Sequence, residues 1–219
     1  MGVFIQVEYE YTSDLNRAKQ WLAELSSPFS CDFEVSSRYD TEAKEKASRK
    51  LNETQNWYEQ CKYQQIVKSD GFSPPSLCFI THLSIAWSNH EARVFVLDTE
   101  PIRKLVCEFL TSTDLLQIWH NFSYDSQFIQ YYTGKLPKNF DDTMLMVKTL
   151  TNNVLYSKDD SKLKHLEGSY YGNWAISKDN FVLEEIHNEN VIKYNAIDAC
   201  ATYHLYERIQ EELSKWKIQ

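Results

Sequence analysis

The chain has 219 residues, 42% of them hydrophobic and 14% aromatic, and its 31 acidic and 23 basic residues give a net charge of −8. This length suits one globular domain with a substantial core. The acidic balance predicts poor long-range steering of nucleic acid, although bound metal cations can reverse the charge that a site presents to phosphate. We find no basic leader and no apolar run long enough to span a bilayer, so we expect a cytoplasmic protein that does not bind membranes.

Hydrophobic patterns divide the N-terminal part of the chain into predicted elements. Residues 3–9 alternate like a strand, and Ser13-Asp14 then caps a helix that is predicted to end near Leu25. An apolar strand is predicted over 29–35. The charged stretch at about 41–70 starts with a long run free of Gly and Pro, and we interpret it as a helical insertion with a sparse apolar face.

The remainder of the chain continues the mixture of strands and helices. Residues 77–87 and 93–97 are predicted strands, and the polar residues between them indicate a hairpin. Pro101 stands near the start of the next predicted helix, and a strand over 115–120 leads into a helix that approaches Gly134. The last predicted helices cover 162–170 and 189–213. This order of elements predicts an α/β protein.

Two carboxylates occupy the predicted strand 29–35. Asp32 and Glu34 stand two residues apart, so both side chains project from one face of the strand. Such a pair on its own is often a solvated strand edge. Here the neighbours are core-forming residues: Cys31, Phe33 and Val35. A carboxylate in that setting needs compensation, which a divalent metal ion such as Mg²⁺ or Mn²⁺ can supply.

Two further pairs of polar residues have helical spacing. Tyr194 and Asp198 are four residues apart, as are Asn121 and Asp125, so each pair lies on one helix face. Asp125 has an alternative reading as a first-turn acid favoured by the helix dipole, and Asp198 as a surface charge. Apolar residues around Asp198 favour a buried position instead.

Taken in order, these clusters resemble the three exonuclease motifs in the 3′-5′ proofreading domain of family A DNA polymerases. That domain belongs to the DEDD exonucleases of the ribonuclease H-like superfamily, whose tyrosine subclass has Tyr-x-x-x-Asp in its third motif, as in Tyr194 to Asp198. The sister subclass has histidine where this chain has Lys193. The run FDDTML at 140–145 also resembles a run that follows the second motif of those polymerases. The similarity spans roughly residues 28–206.

The resemblance implies a ribonuclease H-like α/β fold, with a mixed central sheet flanked by helices as in DnaQ-like exonucleases, in a single domain over 1–219. It also implies a two-metal-ion exonuclease that hydrolyses DNA from the 3′ end and releases nucleoside 5′-monophosphates, in proofreading or DNA processing. The expected cofactors are two divalent ions, Mg²⁺ or Mn²⁺. The expected partners are a single-stranded DNA 3′ end and, if the enzyme is part of a split polymerase, a separate polymerase subunit.

The resemblance also implies a role for each motif residue. Asp32 would bridge two metal ions, which lie roughly 3.5 to 4 Å apart in such sites. Glu34 and Asp198 would complete the site of the first ion, and Asp125 would anchor the second, mostly through water. Tyr194 would orient the attacking water together with Glu34.

Substrate contacts are implied for three more residues. Asn121 and Tyr124 would contact the sugar and base at the 3′ end, although Tyr124 also fits a partly buried helix aromatic. The family usually has a Thr and then a Leu after the first motif, whereas this chain continues as Val35-Ser36-Ser37-Arg38. Arg38 could bind a phosphate in their place or be an ordinary loop residue.

Two other functions stay open at the level of sequence. Ribonuclease D-type enzymes share the tyrosine-type motifs, so RNA is an alternative substrate, although the run FDDTML favours DNA. A non-catalytic module that binds a replication partner through the 41–70 insertion is the other alternative. The presence of all four acids and Tyr194 favours the enzyme.

Overall fold

The computed structural model describes residues 4–35, 41–57, 59–60, 63, 75, 78–151, 161–172, 174 and 186–216. The strands are β1 (Glu8–Thr12), β2 (Phe29–Val35), β3 (Ile80–Ala86), β4 (Glu91–Val96), β5 (Gln117–Trp119) and β6 (Phe140–Asp142). The helices are α1 (Leu15–Ala23), α2 (Thr41–Glu53), α3 (Glu100–Ser112), α4 (Phe122–Thr133), α5 (Thr143–Leu150), α6 (Leu163–Tyr171) and α7 (Glu189–Trp216).

The six strands form one mixed sheet in the order β1-β4-β3-β2-β5-β6. Strands β3 and β4 pair antiparallel as the predicted hairpin, and β2 pairs antiparallel with β3. The pairs β1 with β4, β2 with β5, and β5 with β6 are parallel. Helices α1, α3 and α4 cover one face through one core cluster, and α5, α6 and α7 contribute to the cluster on the other face. The prediction of a mixed central sheet flanked by helices is therefore confirmed.

Strand β2 presents an apolar face and a polar face, because successive side chains of a strand point to opposite sides. The residues of the apolar face are buried in the core beneath α1, α3 and α4: Phe29, Cys31, Phe33 and Val35. The residues of the polar face are Ser30, Asp32 and Glu34. Helix α7 packs against β2 and β3, and its hydrogen bonds are made with this polar face.

Two serines determine the position of α7 on the sheet. The Ser30 hydroxyl donates to the carbonyl of Ala199 at 2.7 Å, and the Ser84 hydroxyl donates to the carbonyl of Asn195 at 2.8 Å. These carbonyls are one helical turn apart, so the two bonds together restrict both the position of the helix along its axis and its rotation about that axis. The small side chains also let the helix backbone approach the strands closely. The polar residues of α7 are thereby aligned with those of β2.

The N-terminal strand begins later than its alternation predicts. Strand β1 covers Glu8–Thr12 rather than 3–9, since its backbone partner β4 extends only from Glu91 to Phe95 in their register. The preceding residues Ile5 and Val7 instead pack their side chains against the core cluster of α7. Their alternation reflects this packing and not membership of the sheet.

The helical insertion is interrupted within its predicted length. Helix α2 ends at Glu53, and residues 54–56 are not helical. The Asn56 side chain accepts a hydrogen bond from the backbone N–H of Glu59 at 3.3 Å, the geometry of a residue that caps a new helical turn. A capping side chain therefore divides a stretch that has neither Gly nor Pro. Much of the rest of the 41–70 insertion lies outside the described residues.

In the part of the chain that the structure describes, none of the helices combines the length and the apolar character that crossing a membrane requires.

Candidate active site

Three carboxylates meet between strand β2 and helix α7. Asp32 and Glu34 project from the polar face of β2, and Asp198 projects from α7, whose position the two serine bonds determine. One oxygen from each of the three lies within 4.8 Å of the other two. Glu34 and Asp198 are almost fully buried, whereas Asp32 is partly accessible. The three acids thus form a cluster of negative charge that is accessible to solvent at Asp32.

The fourth predicted acid, Asp125, lies next to this group. It stands in the first turn of α4 and is 5% exposed. Burial raises the pKa of Asp125, the charge of Glu34 raises it further, and hydrogen bonding to its own backbone and that of Phe33 lowers it. Asp125 lies outside the group of three whose oxygens approach within 4.8 Å. The structure therefore brings all four predicted acids together, with Asp125 at the periphery.

Burial and mutual repulsion both disfavour the charged forms of the acids in the site. Burial raises the pKa of Asp32 well above its usual range, and the charges of Asp198, Glu34 and Asp125 add to this effect. Such a group is stable in the charged form only with positive charge nearby. The ligand atoms are carboxylate oxygens, which Mg²⁺ and Mn²⁺ prefer, and their spacing allows one ion to contact several of them. The residues present therefore fit a divalent metal centre.

Tyr194 places its hydroxyl among the carboxylates. It is 2% exposed, and burial raises the pKa of its hydroxyl, together with the charges of Asp198, Glu34 and Asp32 and hydrogen bonding to Asp198. The hydroxyl therefore stays protonated at neutral pH and acts as a hydrogen-bond donor. This position is compatible with the role that the family resemblance implies for Tyr194, and the role itself stays a prediction.

Two residues absent from the predicted site bind Asp198. The Lys164 Nζ atom donates to Asp198 Oδ2 at 2.6 Å, and the Trp174 Nε1 atom donates to Asp198 Oδ1 at 2.6 Å. Lys164 also lies over the ring of Tyr194, with Nζ 4.7 Å from the ring centroid. Both donors come from the segment between the second and third motifs, where no spacing pattern in the sequence identified them.

Asn195, inside the third motif, also has a function that its spacing does not indicate. Its Nδ2 atom donates to Asp32 Oδ2 at 2.8 Å and lies 3.3 Å from the Asp32 carbonyl oxygen. Asn195 is fully buried, and it lies one residue beyond Tyr194 on α7. It orients the Asp32 carboxylate from the helix, so the third motif supports the first directly.

The second motif is held in place by Asp142. Its carboxylate accepts hydrogen bonds from the backbone N–H groups of Asn121 and Phe122 at 3.0 and 2.9 Å, and from that of Met144 at 2.9 Å. It therefore caps the starts of both α4 and α5. Asn121 adopts a left-handed conformation with φ 65°, which brings its backbone N–H to Asp142. This arrangement positions Asp125 one turn into α4.

The predicted substrate-contact residues differ in their surroundings. Asn121 is exposed at the start of α4. Tyr124 is half-buried and packs against Phe128, with ring centroids 5.8 Å apart. Part of the ring is therefore in the core, as expected for a partly buried helix aromatic, and the other part is accessible to solvent. Arg38 lies outside the described residues.

Known structures share this architecture. Brucella melitensis NrnC with bound Mg²⁺ matches at a TM-score of 0.55 and 13% identity, over 97% of this chain and 83% of that chain. Trypanosoma brucei RNase D in complex with RNA U12 matches at 0.61 and 10%, over 94% of this chain and 63% of that one. Escherichia coli RNase D, an exoribonuclease involved in structured RNA processing, matches at 0.59 and 13%, over 96% and 47%. The mixed sheet with its carboxylate cluster thus defines a ribonuclease H-like fold of the DEDD exonuclease type.

The chain belongs to the 3′-5′ exonuclease family, whose model matches residues 80–214. That range contains the second and third motifs and lies beyond the first, so the structure is what places Asp32 and Glu34 beside them. Among curated proteins, no sequence matches this chain.

Proposed function

We propose that this protein is a metal-dependent exonuclease that hydrolyses the terminal phosphodiester bond at the 3′ end of a single nucleic-acid strand and releases a nucleoside 5′-monophosphate. The approach of Asp32, Glu34 and Asp198 oxygens within 4.8 Å is the observation that carries this proposal. Asp125 at the edge of the cluster supports the arrangement of four acids that two divalent ions require.

Each residue has a task that follows from its surroundings. Asp32, Glu34 and Asp198 would hold the first ion, and Asp32 with Asp125 the second. When bound, the ions would supply an activated water and stabilise the departing 3′ oxygen. The Tyr194 hydroxyl stays protonated and can donate a hydrogen bond that orients the attacking water beside Glu34. Asn195 holds the Asp32 carboxylate in place. No side chain needs to act as a covalent nucleophile.

Asn121 and Tyr124 are proposed to bind the terminal nucleotide. Both lie at the start of α4, within one turn of Asp125. The accessible part of the Tyr124 ring can stack on any base, which suits an enzyme without sequence preference.

DNA is the first candidate substrate, on the resemblance of the FDDTML run to proofreading domains. Within this run Asp142 caps two helices, a task that depends on neither sugar. RNA is the second candidate, because two structures of similar fold are ribonucleases D, one of them in complex with RNA. Proofreading with a separate polymerase subunit stays a proposal that depends on DNA being the substrate.

Degradation of matched strands tests both candidates. We would compare 5′-labelled DNA, RNA and a DNA strand with a single 3′-terminal ribonucleotide, all of one sequence, in Mg²⁺, Mn²⁺ or EDTA. A metal-dependent ladder from the 3′ end supports the proposal, and its rate on the three strands assigns the preferred sugar. The Asp32→Ala variant should give no ladder. Asp114→Ala is the matched control, because it removes an acid whose side chain is 88% exposed and forms an ion pair with Lys138. Absence of a ladder with every strand and metal would overturn the proposal.

A further inference from the structure

The side chain of Lys164 places a positive charge in direct contact with the carboxylate cluster. Lys164 Nζ lies 2.6 Å from Asp198 Oδ2, and the other oxygen of Asp198 is occupied by the indole N–H of Trp174. Asp198 is also one of the three acids whose oxygens are close enough to share a metal ion. The lysine ammonium and a divalent ion therefore require the same carboxylate.

The position of Lys164 is maintained by Asp198 rather than by its own helix. Lys164 is the second residue of α6, where the partial positive charge of a helix N-terminus disfavours a cation. The two aromatic rings beside it offer a weaker attraction: Nζ is 4.7 Å from the ring centroid of Tyr194 and 5.8 Å from that of Trp174. The bond to Asp198 is thus the strongest favourable contact that the described residues offer to this ammonium group.

Lys164 can also leave the cluster without disturbing the core. Its side chain is 31% exposed, whereas the side chain of Asp198 is 5% exposed. A lysine has a flexible four-carbon stem that can turn its charged end towards water. A divalent ion at Asp198 would repel the ammonium and so favour this solvent-facing conformation of Lys164.

We propose that Lys164 is a resident counter-cation that a divalent ion must displace from Asp198. It is a positioning residue that stabilises the acids when metal is scarce and that lowers the affinity of the site for metal. This inference rests on the proposed metal-dependent function. When the metal is removed, the Lys164 ammonium should replace it as the positive charge beside the acids, so that the four acids are not left uncompensated.

Metal titration of a charge-removing variant tests this inference. We would measure Mn²⁺ binding by calorimetry for the wild type, Lys164→Met and Lys138→Met. Lys138 is the matched control, because it forms an exposed ion pair with Asp114 at 3.2 Å. Without its competitor, the site of Lys164→Met should bind Mn²⁺ about tenfold more tightly, and the control should bind as the wild type does. In EDTA, Lys164→Met should also melt at a lower temperature than the wild type, since the acids then lack the ammonium.

A measurement on the wild-type protein removes any dependence on how the variant folds. Reductive methylation of lysines, quantified by peptide mass spectrometry, would be compared in EDTA and in saturating Mn²⁺. The modification rate of Lys164 should rise several-fold with Mn²⁺, while that of Lys138 stays constant. Equal rates for Lys164 in both conditions, or unchanged or weaker Mn²⁺ binding by Lys164→Met, would overturn the inference. In either case metal binding and strand cleavage by the wild type would leave the proposed function intact, whereas a wild type that binds no Mn²⁺ would overturn both.

Discussion

The two faces of strand β2 differ in what stabilises them. The apolar face is buried among side chains of α1, α3 and α4, where removal from water is the dominant favourable effect. The polar face meets α7 through hydrogen bonds and charges, among them the bonds of Ser30 and Asn195. One seven-residue strand thus supports the core with one face and the candidate active site with the other. Packing of the apolar face holds the strand in place, and the acids on the polar face are thereby kept close together despite the repulsion between their charges.

The largest expected effect comes from an acid on the polar face. Asp32→Ala should reduce the cleavage rate by more than about a thousandfold, because the loss of a metal-bridging carboxylate is a loss of several kcal/mol in the transition state. The fold should remain intact, since removal of one charge relieves the repulsion that raises the pKa of Asp32. Single-turnover cleavage and thermal melting in EDTA check the two statements. A variant that melts far below the wild type would mean that Asp32 is a structural residue.

The adjacent residue on the apolar face gives the opposite pattern. Phe33→Ala should lower the free energy of unfolding by about 3–5 kcal/mol, because it leaves a cavity beside Trp119, whose ring centroid is 5.6 Å from that of Phe33. Denaturant unfolding measures this loss. The fraction that stays folded should still bind Mn²⁺. A loss of less than about 1 kcal/mol in the free energy of unfolding of Phe33→Ala would mean that packing of the apolar face does not support the site.

A smaller effect is expected from Tyr194→Phe. Removing one hydroxyl that orients water should lower the cleavage rate by about 10- to 100-fold and leave strand binding nearly unchanged. Pre-steady-state cleavage separates the two quantities. The ring remains, so the packing beneath it and its contact with Lys164 are preserved. A loss as deep as that of Asp32→Ala would contradict the assigned role.

A further effect, which depends on pH, is expected at the edge of the polar face. His82 pairs with Glu34 across the sheet, and its Nε2–H donates to the carbonyl of Ile186 at 2.8 Å, just before α7. Burial lowers the pKa of His82 to about 4. Below about pH 6.5 the unfolded chain therefore binds a proton that the folded chain does not, so the stabilisation by neutral His82 is full above that pH and is lost as the pH falls towards 4.

The stability difference between wild type and His82→Gln isolates this effect. It should fall by up to about 1.4 kcal/mol per pH unit between roughly pH 6 and 4. Urea unfolding of both proteins in EDTA over this range measures it, and the rising protonation of Asp32 and Asp125 is common to both. A difference that does not change with pH would mean that His82 titrates alike in the folded and unfolded chains.

Much of the site could be predicted because its residues follow local rules. Strand β2 has its predicted bounds, since its apolar residues alternate along its whole length. The spacing of Tyr194 and Asp198 in a helix likewise follows from local periodicity. The first motif was predicted in full even though the family model does not extend to it. These features depend on side-chain direction, which the backbone period determines.

Contacts between distant segments could not be predicted in this way. Lys164 and Asp198 are 34 residues apart, and the segment between them has no period that would place an ammonium beside a carboxylate. Trp174 reaches the same acid from a region without a recognisable pattern. Strand β6 has three residues and was not predicted, because so short a run carries no alternation. The new helical turn after α2 is capped by a single side chain, Asn56, and no periodic pattern indicates it.

Anomalous diffraction from crystals grown or soaked in Mn²⁺ would locate the metal ions. We expect anomalous peaks in contact with Asp32, Glu34 and Asp198, with Asp125 near the second peak, and the Lys164 ammonium turned away from Asp198. The Asp32→Ala crystal should lose at least one of these peaks. Mn²⁺ bound elsewhere, with no peak at these carboxylates in a protein that degrades 3′ ends, would contradict the assignment of the polar face of β2 as the metal centre.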